Sequence, residues 1–296
     1  MLFCIAMKVV TENINSAKRT EWLKRIMEIR DTECVEGDKI GLSFGDISVD
    51  SITPEHIVSL ACLVEFLYRR KIAVALDRNT ECGEYFYTEL NMKEYWINRQ
   101  DYFPARNDTI LNLWHVKEEQ IEEHARRITD YLKNRYLKNK DLSAVTNSLH
   151  EAYYNISDHA KAEANAFSMI SFNKKTEVLN VAVCDFGIGI ARSVRDFDSS
   201  INDDKIALKK AAEANFTVRS AEHNAGMGLY NIRCVCTEDD CLWIISNSAA
   251  LRLTSTNERA TDLGFDFNGS LLTYSVSLSH FIDEETLEDF NWLLEE

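Results

Sequence analysis

Proline is almost missing from this chain of 296 residues, with two in all, and glycine is sparse at ten. Long linkers and low-complexity tails draw on those residues, so their scarcity points to continuous folded structure. No apolar run is long enough to cross a bilayer. The apolar start, Met1 to Val10, is short, with no basic leader and no small-residue cleavage site after it. It reads as a strand, not a signal peptide. Basic residues are outnumbered, 33 Lys and Arg against 48 Asp and Glu, for a net charge of −15. A phosphodiester backbone requires a basic face, so nucleic acid is not an expected partner, while a local basic pocket for a nucleotide remains compatible with that balance. Paired Cys-x-x-Cys spacing is also lacking. Eight cysteines in a chain this long do not make a disulfide scaffold, and Cys234, Cys236 and Cys241 cluster without a matching His set for zinc. Reduced thiols in or near a core, and a cytoplasmic compartment without membrane attachment, are the expectations.

What is present is globular: 45% hydrophobic and 27% charged residues, enough for two ordinary domains or one large one. Residues 15–30 read as an amphipathic helix, 40–44 as a strand and 71–76 as another. Between them Thr53-Pro54-Glu55 starts a helix, with Thr as the cap and Pro at the first helical position. Glu84 to Trp96 reads as a further helix. This strand–helix alternation predicts a small α/β unit over residues 1–105. Pro104 and the polar run 105–109 mark a boundary, and 106–140 reads as a connecting segment, largely a charged helix from Lys117 to Leu137.

A helix from Leu142 to Ala160 follows. Leu142, Val145, Leu149, Ala152 and Ile156 form its apolar stripe. Glu151, Asn155 and His159 are spaced by four, so they stack on one adjacent face. Then come a β-like run at 166–172, a Lys174-Lys175 turn, and a strand, Val178 to Cys184, entering Asp185-Phe-Gly187-Ile-Gly189-Ile190. Residues 205–216 read as a helix, Asn224-Ala-Gly226-Met227-Gly228-Leu229 opens another, and 242–246 is a strand. Gly269-Ser270 precedes a final strand, 271–278, and Asp283 to Leu294 reads as an acidic helix. There are no internal repeats.

Three readings fail on context. Asp185-Phe-Gly187 occurs in protein kinases, but no Gly-rich loop with a strand lysine and no His-Arg-Asp loop accompanies it. The Gly187-Ile-Gly189 run lacks the third glycine of a dinucleotide fold. No Gly-Lys-Ser/Thr loop is present. The order of the pieces is more telling than any one: Glu-x-x-x-Asn-x-x-x-His on a helix, Asp-x-Gly-x-Gly-Ile after a strand, a variable segment, Gly-x-Gly-Leu-x-x-Ile, and a Gly-Ser-led closing strand. Over roughly residues 140–280 this resembles the GHKL ATPase domain of histidine kinases, gyrase-type topoisomerases, Hsp90 chaperones and anti-sigma-factor serine kinases. Residues 36–103 loosely resemble STAS-like domains.

The resemblance implies a two-layer α/β sandwich over 141–296 preceded by a smaller α/β unit, with ATP and Mg2+ as cofactors. Magnesium takes oxygen ligands and keeps waters, which suits a single carboxamide, Asn155, beside nucleotide phosphates. Glu151 corresponds to the base that polarises a water or hydroxyl. His159 either faces the phosphates or packs. Asp185 corresponds to the reader of the adenine amine, with Ser270 near it where the family more often has Thr. Gly187, Gly189 and Ile190 form one nucleotide loop, and Gly226, Met227, Gly228 and Leu229 the other, at a helix start that favours phosphate. Leu229 and Ile232 are expected to anchor that helix in the core, and the segment from Arg192 to Ala225 corresponds to a lid. No phospho-acceptor helix of the histidine-kinase type is present. The expected activity is ATP hydrolysis or Ser/Thr phosphorylation of a protein partner, the alternative being an ATP-bound switch without phosphotransfer. A homodimer stays open, as does Ser51 or Thr53 as an acceptor against Thr53 as a mere cap.

Overall fold

The computed structural model describes residues 7–98, 106–160, 166–213, 216, 228–279 and 281–283, with the side chains of 97–98, 157–160 and 228 left out. It is a mixed α/β chain with two sheets. The first is parallel, order β1-β2-β3, from Val9–Asn13, Lys39–Ser43 and Ala73–Leu76. Helices α1 (Arg19–Arg30) and α2 (Pro54–Arg69) connect its strands. The second is antiparallel, order β4-β5-β6-β8-β7, from Ile110–His115, Ala166–Asn173, Val178–Asp185, Glu258–Ser277 and Leu242–Leu253.

Helix α2 is hydrophobic nearly all round: 12 of its 16 residues are buried, which places it inside the molecule and not at a surface. It lies between the two sheets, contacting β3 on one side and β5, β6 and β8 on the other. Its polar residues are tied down. Arg19 donates to both oxygens of Glu55 at 3.0 and 2.8 Å, and Trp22 Nε1 donates to Ser59 Oγ at 3.0 Å. At its start Thr53 and His56 cap the helix reciprocally, with Thr53 N–H donating to His56 Nδ1 at 3.0 Å.

The other face of the five-stranded sheet carries α5 (Ile121–Arg135), α6 (Ser143–Ala160), α7 (Ile190–Phe197), α8 (Asp204–Ala211) and α9 (Gly228–Val235). Residues 106–140 therefore supply an edge strand, β4, and a helix, α5, whose Ile121, Ala125, Ile128 and Leu132 join this core. A 3-10 turn at Glu118–Gln120 shortens the helix expected from Lys117. The single helix expected over Glu84–Trp96 is two, α3 (Glu81–Thr88) and α4 (Met92–Asn98), because Asn91 adopts a φ of 52° between them. Strands β7 and β8 run well beyond the expected 242–246 and 271–278, forming a long ribbon. Asp283 pairs with Lys140 as an isolated bridge, and the rest of the expected terminal helix lies outside the described residues. All seven described cysteines are free thiols, five of them buried. No described helix is long and apolar enough to cross a membrane.

Candidate functional site

Strand alternation sorts β6 into two sets. Leu179, Val181 and Val183 face the α6 layer, and Ala182, Cys184 and Phe186 face α2. By that parity Asp185 belongs to the α6 side. Register places it opposite Ser270 of β8, and Ser270 opposite Ser246 of β7. The result is a polar row across three neighbouring strands at the end of β6, fully withdrawn from solvent. Asp185 Oδ1 accepts from Gly187 N at 2.6 Å and Oδ2 from Ser270 N at 3.0 Å. The first bond closes the turn after β6, a common use of Asp two residues before Gly. Burial pushes the Asp185 carboxyl up to about 7 despite these bonds, which favour its charged form.

The row also receives a helix start. Gly189 precedes α7 with a φ of 88°, and the next three amides each find a side chain. Ile190 N donates to Ser270 Oγ at 2.9 Å, Ala191 N to Ser246 Oγ at 3.3 Å, and Arg192 N to Asn247 Oδ1 at 3.0 Å. Two glycines are obligatory here. A Cβ on Gly189 would stand 2.5 Å from Asn247 Oδ1, and one on Gly269, at φ 133°, would stand 2.0 Å from the Asp185 carbonyl.

The second group lies on α6 and α9. Leu229 and Ile232 anchor α9 in the core, as their spacing predicts. Asn231, one turn into α9, donates from Nδ2 to Glu151 Oε1 at 3.2 Å. The other oxygen, Glu151 Oε2, is buried and has no hydrogen-bond partner among the described residues. Burial raises the Glu151 carboxyl above the ordinary range, against the pull of Asn231. One turn on, Asn155 Nδ2 donates to the Glu151 carbonyl at 2.7 Å, which fixes the carboxamide against its own helix. A cleft of about 410 Å³ between α5, α6 and α9 is lined by His150, Glu151, Tyr154, Asn231 and Cys234 among others.

Helix α6 touches β6, α7 and α9, so one helix borders both groups. The structure thus brings Asp185, Gly187, Gly189, Ile190 and Ser270 together, and Glu151 beside Asn155 on α6 with Asn231 of α9 against Glu151. Gly228 opens α9. Gly226, Met227 and the side chain of His159 lie outside the described residues. The early part of the expected lid is core-packed structure, with Val194 of α7 and Ala207 and Leu208 of α8 fully buried. Sequence reasoning missed Ser246, Asn247 and Asn231. No motif marks them, because their contacts with α7 and α6 are made across 55 to 80 residues of chain. Among the described residues no His/Cys/Asp/Glu group of three could hold a metal ion. No protein-family model matches this chain, and no curated protein matches its sequence.

Proposed function

We propose that the chain is a magnesium-dependent ATP-binding regulatory protein of the GHKL class. The five-stranded sheet from β4 onward and the helices α5 to α9 form its sandwich, with a STAS-like unit before it, and the γ-phosphate of ATP passes to water or to a Ser/Thr hydroxyl of a protein partner. The observation that carries this reading is Glu151. A buried oxygen without a partner in a folded protein calls for a donor, and a water or hydroxyl is the simplest one. A carboxyl made more basic by desolvation takes a proton from that donor more readily. Asn231 fixes the direction in which Oε2 points, and the cleft beside it gives an incoming hydroxyl its approach.

The remaining residues fit the cofactors. Asn155 spends Nδ2 on the helix, which leaves the carboxamide oxygen as the atom for an oxygen-seeking cation. A bound magnesium ion would supply charge neutralisation between the phosphates. Asp185 accepts from the backbone N–H groups of Gly187 and Ser270 and from the Ser270 side chain, and the lone pair left over is the acceptor for an exocyclic amine. Because an amine is accepted best by the ionised form, Mg-ATP affinity is expected to rise as pH increases through about 7.

Titration calorimetry tests the reading. Mg-ATP binding is expected for the intact chain and lost in Asn155→Ala and Asp185→Asn; binding undiminished in both variants sinks the assignment. Glu151→Ala is expected to bind ATP and lose turnover. Labelled γ-phosphate then decides the acceptor: label on protein means phosphotransfer, free phosphate means hydrolysis, and neither means a switch that holds ATP unreacted.

A further inference from the structure

Phe186 sits between the two residues that close the Asp185 turn, yet its ring points the other way. Asp185 lies on the α6 side of the sheet, and Phe186 packs with the core beneath α2. There it meets Phe66 of α2, ring centroids 6.4 Å apart at 67°, and Phe267 of β8, 6.1 Å apart at 82°. Arg30, from the last turn of α1, lies over both rings, its guanidinium 4.7 Å from the centre of Phe66 and 5.8 Å from that of Phe186. Arg70 covers Phe66 as well, at 5.4 Å.

Arg30 is committed to this place. Among the described residues its Nε is buried without a hydrogen-bond partner, and its Nη1 donates to the neighbouring Asp31 at 2.8 Å. A buried N–H left unmatched is costly, and cation–π attraction to two rings is the interaction on hand to offset it. A second link runs alongside: Cys62 Sγ of α2 donates to the carbonyl of Cys184, the residue just before Asp185. The backbone on either side of the Asp185 turn is thus gripped from α1 and α2.

We propose that Phe186 is the positioning residue for Asp185, and that Arg30 and Phe66 hold it, so that the three-stranded unit sets how well the site selects adenine. This rests on the reading of Asp185 as the adenine-contacting carboxylate. The physical reason is alternation. Neighbouring residues at a strand end face opposite ways, so fixing one ring fixes the direction of the adjoining carboxylate. Sub-ångström error in that direction is enough to weaken recognition of one amine.

The test compares Mg-ATP and Mg-GTP binding by calorimetry in the full chain for wild type, Phe186→Leu, Arg30→Met, Arg30→Lys and Phe66→Leu. Hydrogen exchange of the Gly187 amide is followed in each without nucleotide. Phe186→Leu and Arg30→Met are expected to weaken ATP about tenfold while GTP changes little, to release the Gly187 amide from protection, and to leave the urea midpoint almost unmoved. Arg30→Lys is expected to restore part of the ATP preference. An unchanged ratio of ATP to GTP affinity, or losses of both in step with stability, overturns the proposal. If wild type binds neither nucleotide, the adenine reading has failed on its own. Gly187 protection then decides the positioning claim: protection lost in Phe186→Leu upholds the grip on the turn, and protection kept overturns it.

Discussion

Along β5, β6 and β8 alternate side chains leave the five-stranded sheet in opposite directions, and the two faces are built to different rules. Toward α2 the sheet shows Phe167, Met169, Ala182, Cys184, Ile245 and Leu271, an apolar surface that holds the three-stranded unit. Toward α6 it shows Leu179, Val181 and Leu272 interrupted by polar groups: Asp185, Ser246 and Ser270 at one end, and Ser168 and Tyr274 further in. Those inner groups are paired, Ser168 with the Tyr153 hydroxyl at 3.1 Å and Tyr274 with Ser148 at 3.1 Å. A protein has no need of buried polar groups merely to fill space, since each must find a partner or cost stability. The apolar face is adhesive, and the mixed face is where geometry has been specified.

Four changes probe that contrast. The largest effect belongs to the adhesive face. Phe167 is fully buried against Tyr95, Trp96 and His115, and Phe167→Ala should destabilise the chain by about 3–5 kcal/mol in urea unfolding. A loss below about 1 kcal/mol would mean the two units barely depend on each other.

Next comes Asp185, through pH. Its folded carboxyl titrates near 7, above the ordinary unfolded value, so the folded state holds the proton more tightly. Stability therefore falls as pH rises from about 4 to about 7, by up to about 4 kcal/mol, and is flat above. His124, stacked 3.6 Å from Trp114 and pushed down to about 3 by burial, acts in the opposite sense. It loses stability as pH falls from about 6.5 toward 3. The two slopes oppose each other over much of the acid range, so the Asp185 contribution is read as the difference between wild type and Asp185→Asn across pH 4–8. A difference that does not vary with pH would contradict the burial argument.

Ser246→Ala removes the acceptor of Ala191 N and the donor to the Gly269 carbonyl, two buried backbone groups. A loss of about 1–3 kcal/mol is expected, accompanied by faster exchange of the Ala191 amide. Tyr274→Phe should have the smallest effect, about 1 kcal/mol, because Ser148 Oγ keeps its bond to the Val145 carbonyl at 2.8 Å. A larger cost would show that the inner polar pairs support the mixed face as much as its end row does.

Much of this contrast was legible in residue order, and the reasons for the remainder are specific. The α6 stripe, from Leu142 to Ile156, and the run from Val178 to Asp185 carry their own periods, and both elements lie where those periods place them. Helix α7 was not anticipated. Its start is held by Ser270, Ser246 and Asn247, residues 55 to 80 positions away, and no local pattern announces such a cap. The ribbon beyond Asn247 was missed because its residues alternate poorly. Its partner strand is irregular there, with Asn247 opposite Phe267 but Ala249 opposite Asp262. Of the candidate site, Glu151 and Asn155 were singled out by their spacing of four and Asp185 by the motif that follows its strand. Asn231, which aims Glu151, could not, since its role exists only once α6 and α9 are side by side.

The burial of α2 on both sides has a consequence for biosynthesis. Residues 54–69 leave the ribosome long before β8, which ends at Ser277 and completes the surface α2 rests on. At about 5–20 residues per second, that cover arrives roughly 10–40 s later. Until β5 and β6 emerge, a nascent chain displays a helix with almost no polar side, held only by α1 and the parallel sheet, and the cover is completed with β8. Ribosome-stalled chains ending near residue 105 should therefore attract hydrophobic-surface chaperones, and chains ending beyond Leu278 should not.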